Sequence, residues 1–259
     1  MESLKLLFIG NSFAEDTMEY AAEIAQSLGV KRVKFGVLYK GGCPIELHYN
    51  HAVEDTAAYK YSVNEGDGWS STPDFKIGDA VRSDDWDWIA IQHGSNGGVR
   101  YTSIECYDKL APLIDYVKGI APSHTKVAFN LTWLGESTRQ HHEIISYDGD
   151  IALMREKLVE VTREVVKNNP RLDMLVPTGT AIENARTSKI GLLTRDCFHL
   201  SMDKGRFIAG LAFISTITGI DAAGISWAPR KVDEYAVRVA VCATKSAQQN
   251  PFEITRIDF

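Results

Sequence analysis

A chain of 259 residues, 44% hydrophobic and 24% charged, is long enough to bury a substantial core and suits one large α/β domain. Its formal net charge is −6 and no basic run is present, which argues against a nucleic-acid surface or a polybasic membrane anchor. The longest apolar stretches have strand length, too short to span a bilayer, and the cysteines at 43, 106, 197 and 242 show neither a CxxC pair nor zinc-ligand spacing.

Met1-Glu2-Ser3 leads straight into an apolar run at 6–9. That run reads as a strand, without the charged and apolar regions of a signal peptide. The expected compartment is therefore cytoplasmic for the chain as it stands, or periplasmic or secreted if a leader has been trimmed. Residues 14–28 follow as a helix, with Ala21, Ile24, Ala25 and Leu28 on one face and Glu15 and Asp16 in the first turn. Gly29 stops it. A second strand is predicted at 33–38. Residues 56–76 read as a β-hairpin around Glu65-Gly66-Asp67-Gly68, and it is expected to be an appendage outside the core sheet. A third strand at 88–92 precedes a helix over 105–120, and a fourth strand covers 126–131. The helical stretch 150–168 ends at Asn168-Asn169-Pro170, a fifth strand covers 174–177, and helices at about 202–218 and 231–248 close the chain.

Strands alternating with helices imply a central parallel sheet of about five strands, covered by helices on both faces. Ligands of such sheets bind beyond the C-terminal strand ends, where strand order reverses. Several motifs fall there. Gly10-Asn11-Ser12 follows the first strand and suits either a helix cap or an exposed nucleophile. Asp196-Cys197-Phe198-His199 spaces a carboxylate and an imidazole so that Asp196 can orient His199 toward a serine. In chain order these give Ser12, Asp196 and His199, the parts of a serine hydrolase, set against an ordinary polar loop before a helix. Gly41-Gly42 follows the second strand and offers a bare backbone N–H. Gln92-His93-Gly94-Ser95-Asn96-Gly97-Gly98 follows the third and offers a side-chain amide for an oxyanion.

These places match, in order and spacing, the blocks of the SGNH hydrolase superfamily, the GDSL-type esterases. The chain resembles an uncharacterised branch of it over nearly its full length. Gly10-Asn11-Ser12 stands where Gly-Asp-Ser is usual. Gly42 takes the place of the second block's glycine. Gly94-Ser95-Asn96-Gly97 aligns with Gly-x-Asn-Asp but lacks the final Asp. Val176-Pro177-Thr178-Gly179-Thr180-Ala181 also looks like that branch, which often carries a Gln-Gln or Gln-His pair after the third strand. The resemblance implies one domain over 1–259 with a flavodoxin-like three-layer α/β/α fold and a Ser-His-Asp mechanism, without metal or cofactor. It implies an oxyanion hole from the N–H groups of Ser12 and Gly42, with Asn96 ahead of Gln92 and His93 as side-chain donor. The expected activity is hydrolysis of small acyl esters, acetyl first, on carbohydrate.

Trp133, directly after the fourth strand, and His93 are the expected pocket walls. His48-Tyr49-Asn50-His51 has metal-like spacing but no third ligand, so a surface helix is expected. His141-His142 lies in a polar loop at 135–149, read as a rim or lid. The alternative is a non-catalytic carbohydrate- or nucleotide-binding protein on a flavodoxin-like fold, holding its ligand at the first strand–helix turn.

Overall fold

The computed structural model describes residues 1–93, 102–135, 150–167, 169–196 and 198–259. β1 (Ser3–Gly10), β2 (Arg32–Tyr39), β5 (Trp88–Gln92), β6 (Lys126–Asn130) and β7 (Met174–Val176) run parallel in the order β2-β1-β5-β6-β7. This is the flavodoxin-like order, with its switch point between β1 and β5. Side chains of β1 alternate across the sheet. Leu4, Leu6 and Phe8 meet α1 (Ser12–Met18), α2 (Ala21–Ser27), α7 (Thr178–Arg186), α8 (Lys204–Thr218) and α9 (Glu234–Gln249). Leu7 and Ile9 meet α3 (Ile45–Val53), α4 (Ile77–Arg82), α5 (Leu110–Ile120) and α6 (Ile151–Lys167) on the other face. Both faces are dry, as a parallel sheet requires.

The hairpin is not an appendage. β3 (Tyr59–Asn64) pairs antiparallel with β2, from Tyr39 opposite Lys60 to Phe35 opposite Asn64, and β4 (Trp69–Phe75) pairs with β3. The sheet therefore has seven strands, β4-β3-β2-β1-β5-β6-β7. Without β3, the outer edge of β2 would leave its backbone groups unpaired. β4 is an edge strand, and its exposed run and Pro73 suit that position.

The single helix expected over 14–28 is two helices. The chain turns at Glu19 and Tyr20, where the Glu19 carbonyl accepts from the Trp69 indole at 3.3 Å. Residues 105–120 also divide, into a 3-10 turn at Ile104–Tyr107 and α5.

His48 departs from expectation for the same reason as the hairpin. Because β3 joins the sheet, α3 packs over it, and His48 is fully buried with Nδ1 at 2.8 Å from the Tyr59 hydroxyl. His51 Nδ1 reaches the same hydroxyl at 3.3 Å. Burial, aided by His51, pushes the His48 ring down to about 3 from an ordinary 6.5. The unfolded chain binds this proton more readily than the folded one, so the group's effect on stability is absent above 6.5 and grows unfavourable as pH falls toward 3. Each unit in that window costs about 1.4 kcal/mol. Urea midpoints at about pH 7 and about pH 5 are expected to diverge more for the wild type than for His48→Asn. An equal loss in both proteins would remove His48 from the acid response.

Candidate active site

β1 ends at the switch point with Gly10, where a side chain would have no room. A Cβ on Gly10 would lie 2.7 Å from that of Ala14 and 3.2 Å from Gln92 Nε2. Asn11 caps α1, its Oδ1 accepting from the Phe13 N–H at 3.0 Å. This cap presents Ser12 as the first helical residue, half-buried at the C-terminal edge of the sheet.

The loop before α8 arrives at the same edge. His199 Nε2 lies 2.9 Å from Ser12 Oγ, and His199 Nδ1 lies 2.7 Å from Asp196 Oδ2. The other oxygen of Asp196 accepts the N–H groups of Phe198 and His199 at 2.9 and 2.7 Å. Burial alone would raise the Asp196 carboxyl, but those two N–H groups and the His199 ring outweigh it and hold it below the ordinary carboxylate value. An ionised Asp196 keeps the proton of His199 on Nδ1. Nε2 is then left to accept from the serine hydroxyl.

Two buried networks fix this arrangement, and neither has a local sequence signal. Asp16, one turn after Ser12 on α1, is completely buried. It accepts from Arg195 at 2.9 Å, Arg206 Nε at 2.8 Å and the Leu200 N–H at 2.8 Å. Arg195 also donates to the Leu200 carbonyl, and its own N–H reaches the His199 carbonyl at 2.9 Å. The second network is a row of amides under the strand ends. Asn130 donates to Gln92 Oε1 at 3.4 Å, Gln92 to Asn11 Oδ1 at 2.8 Å, and Asn11 to the Cys43 carbonyl at 3.4 Å. It links the ends of β6, β5 and β1 to the turn after β2.

Of the residues expected at the site, Ser12, Asp196 and His199 stand in one hydrogen-bonded line. Gly42 lies in the turn after β2 with φ of +60°, a left-handed conformation that favours glycine. Gln92 is buried, with Nε2 engaged on Asn11. Trp133 is also buried. It stacks on Phe13 with ring centroids 4.4 Å apart and donates to the Phe198 carbonyl at 2.7 Å, so it backs the Asp196–His199 loop. His93 lies beneath the surface against Tyr107 and Phe129, with Nε2 at 2.9 Å from Thr132 Oγ1. Asn96, Cys197, His141 and His142 lie outside the described residues. Among the described residues, no three His, Cys, Asp or Glu side chains are grouped to hold a metal ion, and no helix is long and apolar enough to cross a membrane. Burial pushes the Cys43 thiol up to about 12, which leaves it protonated and poorly nucleophilic.

The architecture is a three-layer α/β/α sandwich around a mostly parallel seven-stranded sheet. The family model described as a domain of unknown function, DUF4886, matches residues 5–247, and the chain belongs to that family. A DUF4886 family protein from Bacteroides uniformis ATCC 8492, known as a crystal structure, is 27% identical over 99% of this chain and 98% of that one, with a TM-score of 0.92. At the level of fold, the chain is also similar to a catalytic mutant of Axe2, an acetylxylan esterase from Geobacillus stearothermophilus. That match has 15% identity, covers 84% of this chain and 95% of that one, and has a TM-score of 0.50. LAE5, an alpha/beta hydrolase from the metagenome of Lake Arreo, Spain, is 12% identical over 85% and 98% of the two chains, with a TM-score of 0.51. No curated protein matches the chain.

Proposed function

We propose that this protein is a serine ester hydrolase acting on small acyl esters, acetyl foremost, carried on carbohydrate. The observation that carries the reading is the line from Ser12 Oγ through His199 to Asp196, at 2.9 and 2.7 Å, on the switch-point edge of the sheet. Ser12 Oγ attacks the ester carbonyl while His199 Nε2 takes its proton. Asp196 holds the imidazole tautomer and stabilises the imidazolium. His199 then protonates the departing alcohol. Water repeats the sequence on the acyl-enzyme and releases the acid.

The N–H groups of Ser12 and Gly42 are assigned to the oxyanion, with Asn96 as the first choice for the side-chain donor. Gln92 ranks behind it, because its amide already donates to Asn11. Losing one such donor typically costs about 2.7–4 kcal/mol of transition-state stabilisation. Acetyl-carbohydrate esters are favoured because the SGNH resemblance includes many deacetylases, and the fold is shared with an acetylxylan esterase.

A fluorophosphonate probe is expected to form a covalent adduct on Ser12, located by peptide mass spectrometry. Absence of labelling in folded protein would instead favour a non-catalytic carbohydrate- or nucleotide-binding role.

A further inference from the structure

β3 and β4 carry the sheet past the helices that cover its α1 face, and the uncovered strip forms a groove of about 290 Å³. Val37, Lys60, Ser62 and Ser71 contribute from the strands, Glu15, Met18 and Glu19 from α1 and its C-terminal end, Arg206 from α8, and Trp69 from β4. The groove is separate from the triad but begins beside it. Glu15 follows Ser12 by three residues and Glu19 by seven, which places them about 5 and 10 Å along the helix axis from the serine.

Its chemistry is that of a neutral polar ligand. Lys60 pairs with Glu15 at 2.5 Å and Arg206 with Glu19 at 2.9 Å. The charges are thus matched within the groove, with little net field to attract an ion. The same groups still offer fixed donors and acceptors, joined by the Ser62 and Ser71 hydroxyls, which lie 2.8 Å apart. Trp69 is tethered through its indole N–H to the Glu19 carbonyl, so its orientation is set before any ligand arrives. Lys60, Ser62 and Ser71 flank the half-buried Trp69 above the buried side chains of Val37 and Met18, which suits a ring with mixed C–H and hydroxyl faces better than an acyl chain. The volume is near the lower end of small-molecule pockets, about 300 Å³.

We propose that this groove is the subsite for a single neutral glycosyl ring of the ester's alcohol part. The inference rests on the hydrolase reading of Ser12. A ring held here lies along α1, with its acylated hydroxyl directed toward the start of that helix.

The test compares kcat/KM on a mono-O-acetylated methyl glucoside, whose other hydroxyls are free, with kcat/KM on p-nitrophenyl acetate, which has no sugar. Trp69→Ala removes the aromatic platform. Ser71→Tyr, at an exposed strand position that tolerates an aromatic, fills the groove. Each is expected to lower the glucoside-to-nitrophenyl ratio roughly tenfold, about the effect of one lost ring contact. A ratio unchanged in both variants would overturn the subsite. So would a wild type that hydrolyses p-nitrophenyl acetate but not the glucoside, an outcome that leaves the hydrolase reading intact. Turnover of neither ester, with no probe adduct on Ser12, would instead remove the hydrolase reading and the subsite with it.

Discussion

Ser12→Ala is expected to lower kcat on p-nitrophenyl acetate by roughly four to six orders of magnitude, with KM little changed, as when serine hydrolases of other folds lose a triad member. The hydroxyl is the only group lost, and its hydrogen bond runs to His199 Nε2 at 2.9 Å, so the fold has little reason to respond. Asp196→Asn is the sharper variant. Its oxygen can still accept the N–H groups of Phe198 and His199, which preserves the turn. Its amide nitrogen, however, would face His199 Nδ1, where Asp196 Oδ2 now lies at 2.7 Å. His199 Nδ1 must then accept from that amide rather than donate. The ring proton moves to Nε2, and His199 can no longer take a proton from Ser12. A loss of roughly 10⁴-fold in kcat is expected from the tautomer alone. Retention of more than a few per cent of activity by Ser12→Ala would move the nucleophile elsewhere. Full activity in Asp196→Asn would deny Asp196 its orienting role.

Much of this site was legible in the sequence because its parts are local. Asp196 and His199 are three residues apart, and the turn that joins them is closed by Asp196 itself. Ser12 sits directly after an apolar run, so the strand–helix junction and the serine were read together. The parallel core was equally visible, since alternating apolar runs and amphipathic stretches permit few topologies. The hairpin misled because its local signals, a glycine-rich turn between two short strands, are the same whether it pairs with β2 or stands free. Only the unsatisfied edge of β2 decides the matter, and that is a property of the assembled sheet. His48 was misplaced in turn, since its burial depends on β3 lying beneath α3. Trp133 was correctly placed after a strand end, yet sequence position does not reveal that its ring packs under the 196–199 loop. The amide row of Asn11, Gln92 and Asn130 joins residues 81 and 38 positions apart, and no periodicity marks it.

Asp16 is the residue whose importance was least visible, and its removal has the second large expected effect. In sequence it is an acidic residue in the first turn of a helix, which surface helices carry routinely. In the structure it is the buried acceptor for two arginines and for the N–H of Leu200, the residue that follows His199. Ser12 and Asp16 share α1, so this one carboxylate ties the helix of Ser12 to the loop of His199. Asp16→Ala would leave Arg206, itself largely buried, with only Glu19, and would free the Leu200 N–H. Removing one partner of such a cluster typically costs about 3–5 kcal/mol, enough to lower Tm by on the order of 10 °C in a domain of this size. The catalytic effect follows from geometry. A loop released by about 1 Å weakens the Ser12–His199 contact, and a displacement of that size can cost roughly 10²-fold in rate. The loss should fall on kcat more than on KM, because Asp16 touches no part of the site that would meet the acyl group. Asp16→Asn keeps the shape and two acceptor lone pairs and is expected to recover part of both losses. Thermal unfolding and kcat, measured together on the two variants well below their Tm, separate the outcomes. A folded Asp16→Ala protein with wild-type kcat would show that the 194–200 loop holds His199 in place without it.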